Sequence, residues 1–341
     1  MNLQRLLLGA ASAAILSAAP LAAHAQDFYR GKTITIVVGF TPGGGFDANA
    51  RLLSRHWGNH IPGKPEVVVS NMPGAASMVA VNYLEASASK DGTVVGTFNY
   101  GQITASRLQP DRVKADFRNF NWIGSIAEDP EFCFMPAKMG VKTFEEVKAR
   151  GKLVLGLTSF GTANDISQRI MRLLGVDLKQ ISGYPGSTEV KLAMERGEVD
   201  ATCGAWSELP VDWEQRGDII PYMNFGSFRP ANMPKSVPFA LDYAKTDRER
   251  QIINVLMGTS IIGRPYIMSK AVPADRIAIL RKAFDETVKD PAFVADATKL
   301  NMPVAPKTAA EALAIVQSIY AVPDNVADEA RKIMEEGTGG K

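Results

Sequence analysis

The chain contains the same strand–turn–helix unit twice, with the second copy 118 positions after the first. The first copy, Ile34–Leu53, reads ITIVVGFTPGGGFDANARLL, and the second, Lys152–Ile170, reads KLVLGLTSFGTANDISQRI. In each copy an apolar run predicts a strand, small residues with glycine predict a turn, and an amphipathic run predicts a helix. Such a unit points unpaired backbone N–H groups and the positive end of the helix dipole at one place. Two copies in one chain therefore predict a two-jawed clamp for a small anion.

The two copies share a hydroxyl residue, a glycine, an acid and an arginine at matching positions. These pairs are Thr41 and Ser159, Gly43 and Gly161, Asp47 and Asp165, and Arg51 and Arg169. Glycine at 43–45 lets the backbone approach a ligand closely, although alone it equally suits an ordinary tight turn. The aspartates carry the wrong charge for an anion site, so we expect them to N-cap the helices. We expect the arginines, one turn later, to pair with those acids or to cover the helix.

The N-terminus has the pattern of a secretory signal. Arg5 precedes the apolar run Leu6–Ala19, and Ala23-His24-Ala25 matches a cleavage site. We therefore expect residues 1–25 to be a signal peptide and the mature chain to start at Gln26 in the periplasm. The alternative, an uncleaved membrane anchor, fits less well because the apolar run is short for a span.

Charge and cysteine content narrow the function classes. With 38 basic and 36 acidic residues the chain is close to neutral, which gives no reason to expect a nucleic-acid partner. Cys133 and Cys203 both lie in apolar runs, and an oxidising compartment permits a disulfide between them, although two buried thiols remain the alternative. His56 and His60 are four residues apart, but no carboxylate or cysteine accompanies them at metal-site spacing, so we expect no metal site.

Strands and helices alternate along the chain, which predicts an α/β protein with largely parallel sheets. A polar segment around Pro130 and a stretch rich in proline, serine and glycine at 226–238 divide it. We expect one continuous domain, 127–228, and a second domain assembled from 26–126 and 229–341. Two crossings between α/β lobes make a hinge, and a hinge makes a cleft that can close.

Six ordered motifs carry a family resemblance over nearly the whole mature chain. They are GFTPGGGFDANARLL, SNMPGAASMVAVNYL, KDGTVVGTFN, SFGTANDISQRI, YPGSTEVKLAMERGEVDA and VPADRIAILRKAF. Together they resemble the TctC or Bug-type periplasmic receptors of tripartite tricarboxylate transporters. The resemblance implies a two-lobed, type II-like Venus flytrap with a doubly wound, mostly parallel sheet in each lobe. It implies capture of a dicarboxylate, tricarboxylate, amino acid or aromatic acid and delivery to membrane permease subunits. It also implies a non-enzymatic monomer without a cofactor.

The resemblance also implies where the ligand carboxylate binds. It is held by backbone amides of the turns at 41–47 and 158–162, with the loops near 71–75, 99 and 184–187 around them. Tyr100, Tyr184 and Trp206 follow predicted strand ends, where they could wall the cleft or equally be ordinary core or rim aromatics. The complete set of candidate ligand-binding residues is Thr41, Gly43, Gly44, Gly45, Asp47, Asn71, Gly74, Ala75, Asn99, Tyr100, Ser159, Gly161, Thr162, Tyr184, Ser187 and Trp206.

The sequence departs from the family pattern at two places where ligand identity is set. Phe46 replaces a small hydroxyl residue, and 206–208 reads Trp-Ser-Glu where Asp-Asn with small residues is usual. A Glu208 in the cleft would disfavour a second ligand carboxylate, or would pair with a ligand amine or hydroxyl. The competing functions are an exported enzyme or nucleotide binder, and a receptor of an ATP-driven importer. The glycine turn lacks the Lys-[Ser/Thr] of a P-loop, which disfavours the nucleotide binder.

Overall fold

The strands of the molecule form two separate sheets. The computed structural model describes residues 28–336 except 129, 211–212, 214–215 and 231–232, so the predicted signal peptide lies outside the described residues. The strands are β1 (Thr33–Val38), β2 (Glu66–Asn71), β3 (Val94–Thr97), β4 (Phe120–Ser125), β5 (Glu131–Pro136), β6 (Leu153–Gly156), β7 (Leu178–Ile181), β8 (Ala201–Ala205), β9 (Ile219–Asn224), β10 (Pro265–Ser269) and β11 (Lys307–Thr308).

Helices cover the faces of both sheets. They are α1 (Gly45–His60), α2 (Met78–Ala86), α3 (Gly101–Leu108), α4 (Phe144–Ala149), α5 (Ala163–Leu173), α6 (Ser187–Glu195), α7 (Asp247–Met257), α8 (Ala274–Thr287), α9 (Pro291–Lys299), α10 (Ala309–Tyr320) and α11 (Asp324–Glu335). Within the described part of the chain, none of these helices has the length and apolarity needed to cross a bilayer.

The sheet topology confirms a two-lobed α/β fold, but the sheets are mixed rather than mostly parallel. The first sheet has the order β11-β4-β10-β3-β1-β2, and the second has the order β7-β6-β8-β5-β9. Strand β10 runs antiparallel to β3 and β4, and β5 runs antiparallel to β8 and β9. Both strands enter their sheet directly from the other lobe. No helical crossover within the same sheet precedes them, so they need not run parallel to their neighbours.

The two hydrophobic cores do not follow the predicted domain boundaries along the whole chain. The first sheet buries a cluster that includes Trp57, Trp122 and Phe284. Helices α7 and α11 instead pack on the second sheet, where Ile253 and Met334 join its core. The assignment of all of 229–341 to the first lobe was therefore wrong for these two helices. An amphipathic pattern shows that a helix buries one face, but it does not show which core that face meets.

Two local predictions also differ from the structure. The sequence at 257–263 predicts a strand, but α7 ends at Met257 and a 3₁₀ turn, Gly258–Ile261, follows before β10. Helix α3 was not predicted at all. All of its residues except Arg107 are buried, because α3 lies between the two lobes, with Ile103 in the first core and Leu108 in the second.

The two cysteines are joined in a disulfide. Cys133 on β5 and Cys203 on β8 lie directly opposite each other in an antiparallel pair, with their Cα atoms 4.0 Å apart. The bond closes a loop between residues that are 70 positions apart in the sequence. It therefore restricts the unfolded chain strongly.

We expect the free energy of unfolding of the double variant Cys133→Ala/Cys203→Ala to be about 2–4 kcal/mol lower than that of the wild type. Denaturant unfolding followed by circular dichroism measures this difference. Wild-type protein kept in reductant is the matched control and should show a similar loss. An unchanged unfolding midpoint in both samples would contradict the assignment of a structural disulfide.

Candidate functional site

The turn after β1 is held in place by a buried carboxylate. Gly43 has a φ of +89°, and its N–H donates to Asp47 Oδ2 at 2.9 Å. Arg51 Nε donates to the same oxygen at 2.9 Å, and Asn71 Nδ2 donates to Oδ1 at 2.9 Å. Burial would raise the pKa of Asp47, but the hydrogen bonds from Arg51, Gly43 and Asn71 hold it below its usual value.

The turn in the second copy repeats this arrangement with the same kinds of donor, a glycine N–H, an arginine and a side-chain amide. Gly161 N–H donates to Asp165 Oδ2 at 2.9 Å, and Arg169 Nε donates to Oδ1 at 2.9 Å. Gln180 Nε2 donates to Oδ1 at 2.9 Å and so takes the role that Asn71 has in the first copy. The repeat therefore extends to an amide side chain on the neighbouring strand. This residue lies outside the two sequence segments that were aligned as copies.

The sequence predicted that the two aspartates are N-caps, and this prediction was wrong. The N-cap residues are Gly44 and Thr162, and each aspartate is the third residue of its helix. From there the carboxylate reaches back to the glycine N–H before the N-cap, in the manner of the acid in a capping box. Asp47 and Asp165 therefore fix the turns.

A cleft lies between the lobes at the N-terminal ends of α1 and α6. A side-chain carbon placed on Gly44 would lie 3.4 Å from Ser187 Oγ, so the two turns face each other closely across the cleft. The space they enclose amounts to about 50 Å³. The cleft is lined by Phe40, Thr41, Gly44, Gly45, Phe46, Asn99, Glu131, Thr158, Asn164, Gly186, Ser187, Cys203, Gly204, Ala205 and Glu208.

The turn that faces α1 is the one before α6, and the turn of the second copy lies to one side. At that second turn, Asn99 Oδ1 accepts hydrogen bonds from Ala163 N–H and Gly101 N–H, both at 2.9 Å. The first N–H of α5 is therefore taken by a side chain of the first lobe. Of the predicted segment 158–162, only Thr158 lines the cleft.

Five of the predicted site residues line the cleft, and they are Thr41, Gly44, Gly45, Asn99 and Ser187. Others stand behind it and position the turns. Asn71 Nδ2 donates to Phe40 O and to Asp47, and Gly43 and Gly161 give their N–H groups to the aspartates. Thr162 Oγ donates to Ser159 O at 2.6 Å.

The remaining predicted residues lie farther from the lining. Gly74 and Ala75 belong to the loop after β2, where both have positive φ. Trp206 packs edge-on against Phe132, with ring centroids 4.7 Å apart, and Tyr184 packs on the same cluster. Tyr100 reaches the cleft indirectly, because its hydroxyl donates to Glu131 Oε1 at 3.1 Å. Ligand contacts by these residues stay a prediction.

The structure adds polar lining residues that the sequence did not single out. Asn164 lines the cleft, and its side-chain amide lies 2.5 Å from the Thr162 hydroxyl. Glu131 begins β5 and is buried. Neither residue belongs to a recognisable motif. For Asn164 the nearest signal was its place beside Asp165 in the repeat.

Glu208 spans the cleft, as its unusual position in the sequence suggested. Its Oε1 lies 3.3 Å from Arg264 Nη2, and the Arg264 guanidinium stacks on the Phe46 ring at 4.6 Å. Lys191 Nζ donates to the main-chain oxygen of Glu208 at 2.6 Å. Burial lowers the pKa of Lys191, against the opposing effect of Glu208.

The two histidines of α1 are used in packing between helices. His56 Nε2 lies 3.0 Å from Asp296 and His60 Nε2 lies 2.9 Å from Asp290. Both acids belong to the segment of α9, so these pairs tie α1 to α9. No cluster of three or more potential metal ligands occurs among residues 28–336 as described.

Sequence comparison finds relatives of modest similarity, and no family model matches the chain. A UPF0065 protein in the TAR-I ttuE–ttuC′ intergenic region of Agrobacterium vitis is 29% identical over 191 residues, 54% of each chain. A UPF0065 protein in the gbd 5′ region of Cupriavidus necator is 27% identical over 238 residues, 67% of this chain and 70% of that one. The matches thus span 54% and 70% of these curated relatives.

Solved structures match over almost their whole length. The periplasmic binding protein BugD superposes with a TM-score of 0.71 at 20% identity, over 89% of this chain and 98% of that one. MatC from Rhodopseudomonas palustris, solved with bound malate, gives 0.69 at 19%, over 87% and 99%. A TctC solute binding protein from Polaromonas gives 0.58 at 18%, over 90% and 99%. The resemblance found in the sequence is confirmed: the chain is related to UPF0065 proteins and has the fold of the TctC/Bug-type periplasmic binding proteins.

Proposed function

We propose that this protein is a periplasmic solute receptor that binds a small carboxylate-bearing metabolite between its two lobes. The observation that carries the proposal is the cleft between the N-terminal turns of α1 and α6, with Gly44 and Ser187 both in its lining. MatC was solved with malate and a second R. palustris neighbour with adipate, and both ligands are carboxylates. The mature chain, from Gln26, is exported by the signal peptide and acts as a monomer without catalysis.

A carboxylate suits this cleft because the site offers several hydrogen-bond donors. These donors could bind the ligand without an arginine side chain. Helix N-termini present free N–H groups and a partial positive charge. Thr41, Ser187 and Asn164 add side-chain donors around them. Each charge-assisted hydrogen bond contributes roughly 1.5–3 kcal/mol. Four such bonds, after the cost of association is subtracted, allow a binding free energy of roughly −8 kcal/mol. This value corresponds to micromolar affinity.

The two-lobed arrangement supplies the receptor cycle. Residues from both lobes line the cleft, so a ligand gains its full set of contacts only when the lobes are together. The ligand therefore shifts the population toward the closed form by its difference in affinity for the two forms. We propose that the closed form delivers its ligand to membrane permease subunits of a tripartite tricarboxylate-type transporter.

A screen of organic acids against the purified mature chain tests the proposed function. We expect at least one small carboxylate to bind and to raise the unfolding midpoint. At a ligand concentration a hundred times Kd, the added stability is about 2.7 kcal/mol. Titration calorimetry then gives the stoichiometry, which we expect to be one. Tight binding of a phosphorylated or neutral compound, with no heat from any carboxylate, would contradict the proposal.

A further inference from the structure

One guanidinium group reaches from the first lobe to the second at the edge of the cleft. Arg264 lies directly before β10 of the first sheet, and its Nη2 is 3.3 Å from Glu208 Oε1. The same nitrogen donates to Ser207 Oγ at 3.3 Å. Both acceptors belong to the turn that follows β8 of the second sheet, so a single side chain joins the two lobes at two points.

Arg264 is fixed to the first lobe by its main chain and by its side chain. Its N–H donates to Ser125 Oγ at 3.1 Å, and its main-chain oxygen accepts from the N–H of Ile126 at 3.1 Å. Both partners lie at the end of β4. The guanidinium also stacks on the Phe46 ring of α1, 4.6 Å from the ring centroid. The charged group of Arg264 therefore moves with the first lobe.

Glu208 is fixed to the second lobe in the same way. Lys191 Nζ, on α6, donates to the main-chain oxygen of Glu208 at 2.6 Å. Trp206 and Leu209, on either side in the sequence, are buried in an apolar cluster of that lobe. Because each partner is tied to its own lobe, opening of the cleft must break the contact between Arg264 and Glu208.

The contact is buried and lies against a helix N-terminus. The side chains of Arg264 and Glu208 are 2% and 12% exposed. A side-chain carbon on Gly45 would collide with the Glu208 carboxylate, so this carboxylate packs against the first turn of α1. It therefore meets the positive end of the helix dipole as well as the guanidinium. Both attractions act only while the lobes are together.

The two departures from the family pattern meet in this contact. Phe46 supplies the ring on which the guanidinium stacks, and the Trp-Ser-Glu sequence at 206–208 supplies both acceptors. The sequence alone placed these residues at the site without relating them to each other. We call Arg264, Ser207 and Glu208 the interlobe clasp.

We propose that the interlobe clasp holds the two lobes together before a ligand binds. The closed form is then a populated state of the free receptor, and the ligand increases a population that already exists. This goes beyond the proposed function, because the clasp sets the balance between open and closed forms whatever the ligand is. Since apparent affinity scales with the fraction of receptor in the binding-competent form, Glu208 affects affinity through closure of the lobes.

Interlobe distances in the protein without ligand test this proposal. Both cysteines of the chain are in the disulfide, so cysteines introduced at the exposed positions Ser87 and Lys179, one in each lobe, carry spin labels selectively. We expect double electron–electron resonance to show a closed population, and Glu208→Gln to reduce the ratio of closed to open form at least about tenfold. Glu195→Gln removes the same charge from an exposed position on α6 and should leave the ratio unchanged.

A second pair of variants tests the clasp without changing any charge. Gly45→Ala puts a methyl group where the Glu208 carboxylate lies, and alanine is well tolerated in a helix. Gly44→Ala adds the same group one residue earlier, where it meets only Ser187 Oγ, at 3.4 Å. We expect Gly45→Ala to reduce the closed population as Glu208→Gln does, and Gly44→Ala to leave it unchanged.

Three results would overturn the inference. They are a single long interlobe distance in the wild-type sequence, an unchanged ratio in both Glu208→Gln and Gly45→Ala, and an equal loss in the two controls. No ligand enters these measurements, so each of these results leaves the proposed carboxylate receptor standing. Conversely, a screen in which no acid binds removes the receptor function and leaves the clasp.

Discussion

Replacing Gly44 by aspartate is expected to abolish ligand binding and to leave the protein folded. Gly44 is the N-cap of α1 with φ −80° and ψ 171°, a conformation open to any residue. Aspartate is among the preferred N-cap residues, so the helix itself gains a favourable cap. Its carboxylate, however, takes the place where the ligand carboxylate would meet the helix N-terminus. Two like charges 4–5 Å apart at an effective dielectric constant of 20 cost about 3–4 kcal/mol, so we expect affinity to fall at least about a hundredfold.

Gly44→Asn separates the effect of charge from that of size. Asparagine has the same shape and is an equally good N-cap, but it adds no charge. A carbon at position 44 meets only Ser187 Oγ, at 3.4 Å, so the added bulk is tolerated. We expect the fold-reduction in affinity caused by Gly44→Asn to be less than a tenth of that caused by Gly44→Asp. Calorimetry with the tightest-binding acid measures both. Equal losses would show that bulk rather than charge at this turn decides binding.

Replacing Arg169 by methionine is expected to destabilise the fold by about 3–5 kcal/mol, because it leaves a buried carboxylate without its partner. Arg169 and Asp165 have side chains that are 2% and 1% exposed. Arg169 Nη1 also donates to Ile333 O at 3.1 Å and Glu336 O at 2.8 Å, at the C-terminal end of α11. The substitution therefore also removes two hydrogen bonds at the C-terminal end of α11, where Arg172 still donates to Glu336 O.

The repeat supplies the control for this measurement. Arg51 makes the equivalent bond to Asp47, but its side chain is 49% exposed, so water can take its place. We expect Arg51→Met to cost about 1 kcal/mol, as a partly exposed ion pair does. Urea unfolding of both variants measures the difference. Equal losses would contradict the idea that burial determines how much each aspartate–arginine pair stabilises the fold. They would show that the shared bonding pattern determines it instead.

The repeated unit and the two-lobed fold were predictable because their signals are local. The apolar runs at 33–39 and 66–70 predict strands, and β1 and β2 each end one residue from the end of the corresponding run. Apolar strands, glycine turns and amphipathic helices leave their pattern within some twenty residues of sequence. The pairing of Cys133 with Cys203 was left open, because opposition across two strands depends on a register that the sequence does not show.

The parts of the site that escaped prediction depend on contacts between the lobes. Asn99 was expected to contact the ligand, but its Oδ1 also caps α5 across the lobe boundary. Helix α3 is buried on nearly all sides, so it has no amphipathic pattern to recognise. Glu131 begins a strand, and its place in the cleft follows from the pairing of β5 with β8. None of these contacts leaves a pattern in the neighbouring sequence.

A crystal structure of the mature protein with its tightest-binding acid tests the central claim most directly. The account predicts one ligand carboxylate between the lobes, with its oxygens within about 3 Å of backbone N–H groups at the start of α1 and of Ser187. A ligand whose carboxylate lies away from both the Gly44 turn and the Gly186–Ser187 turn would contradict it.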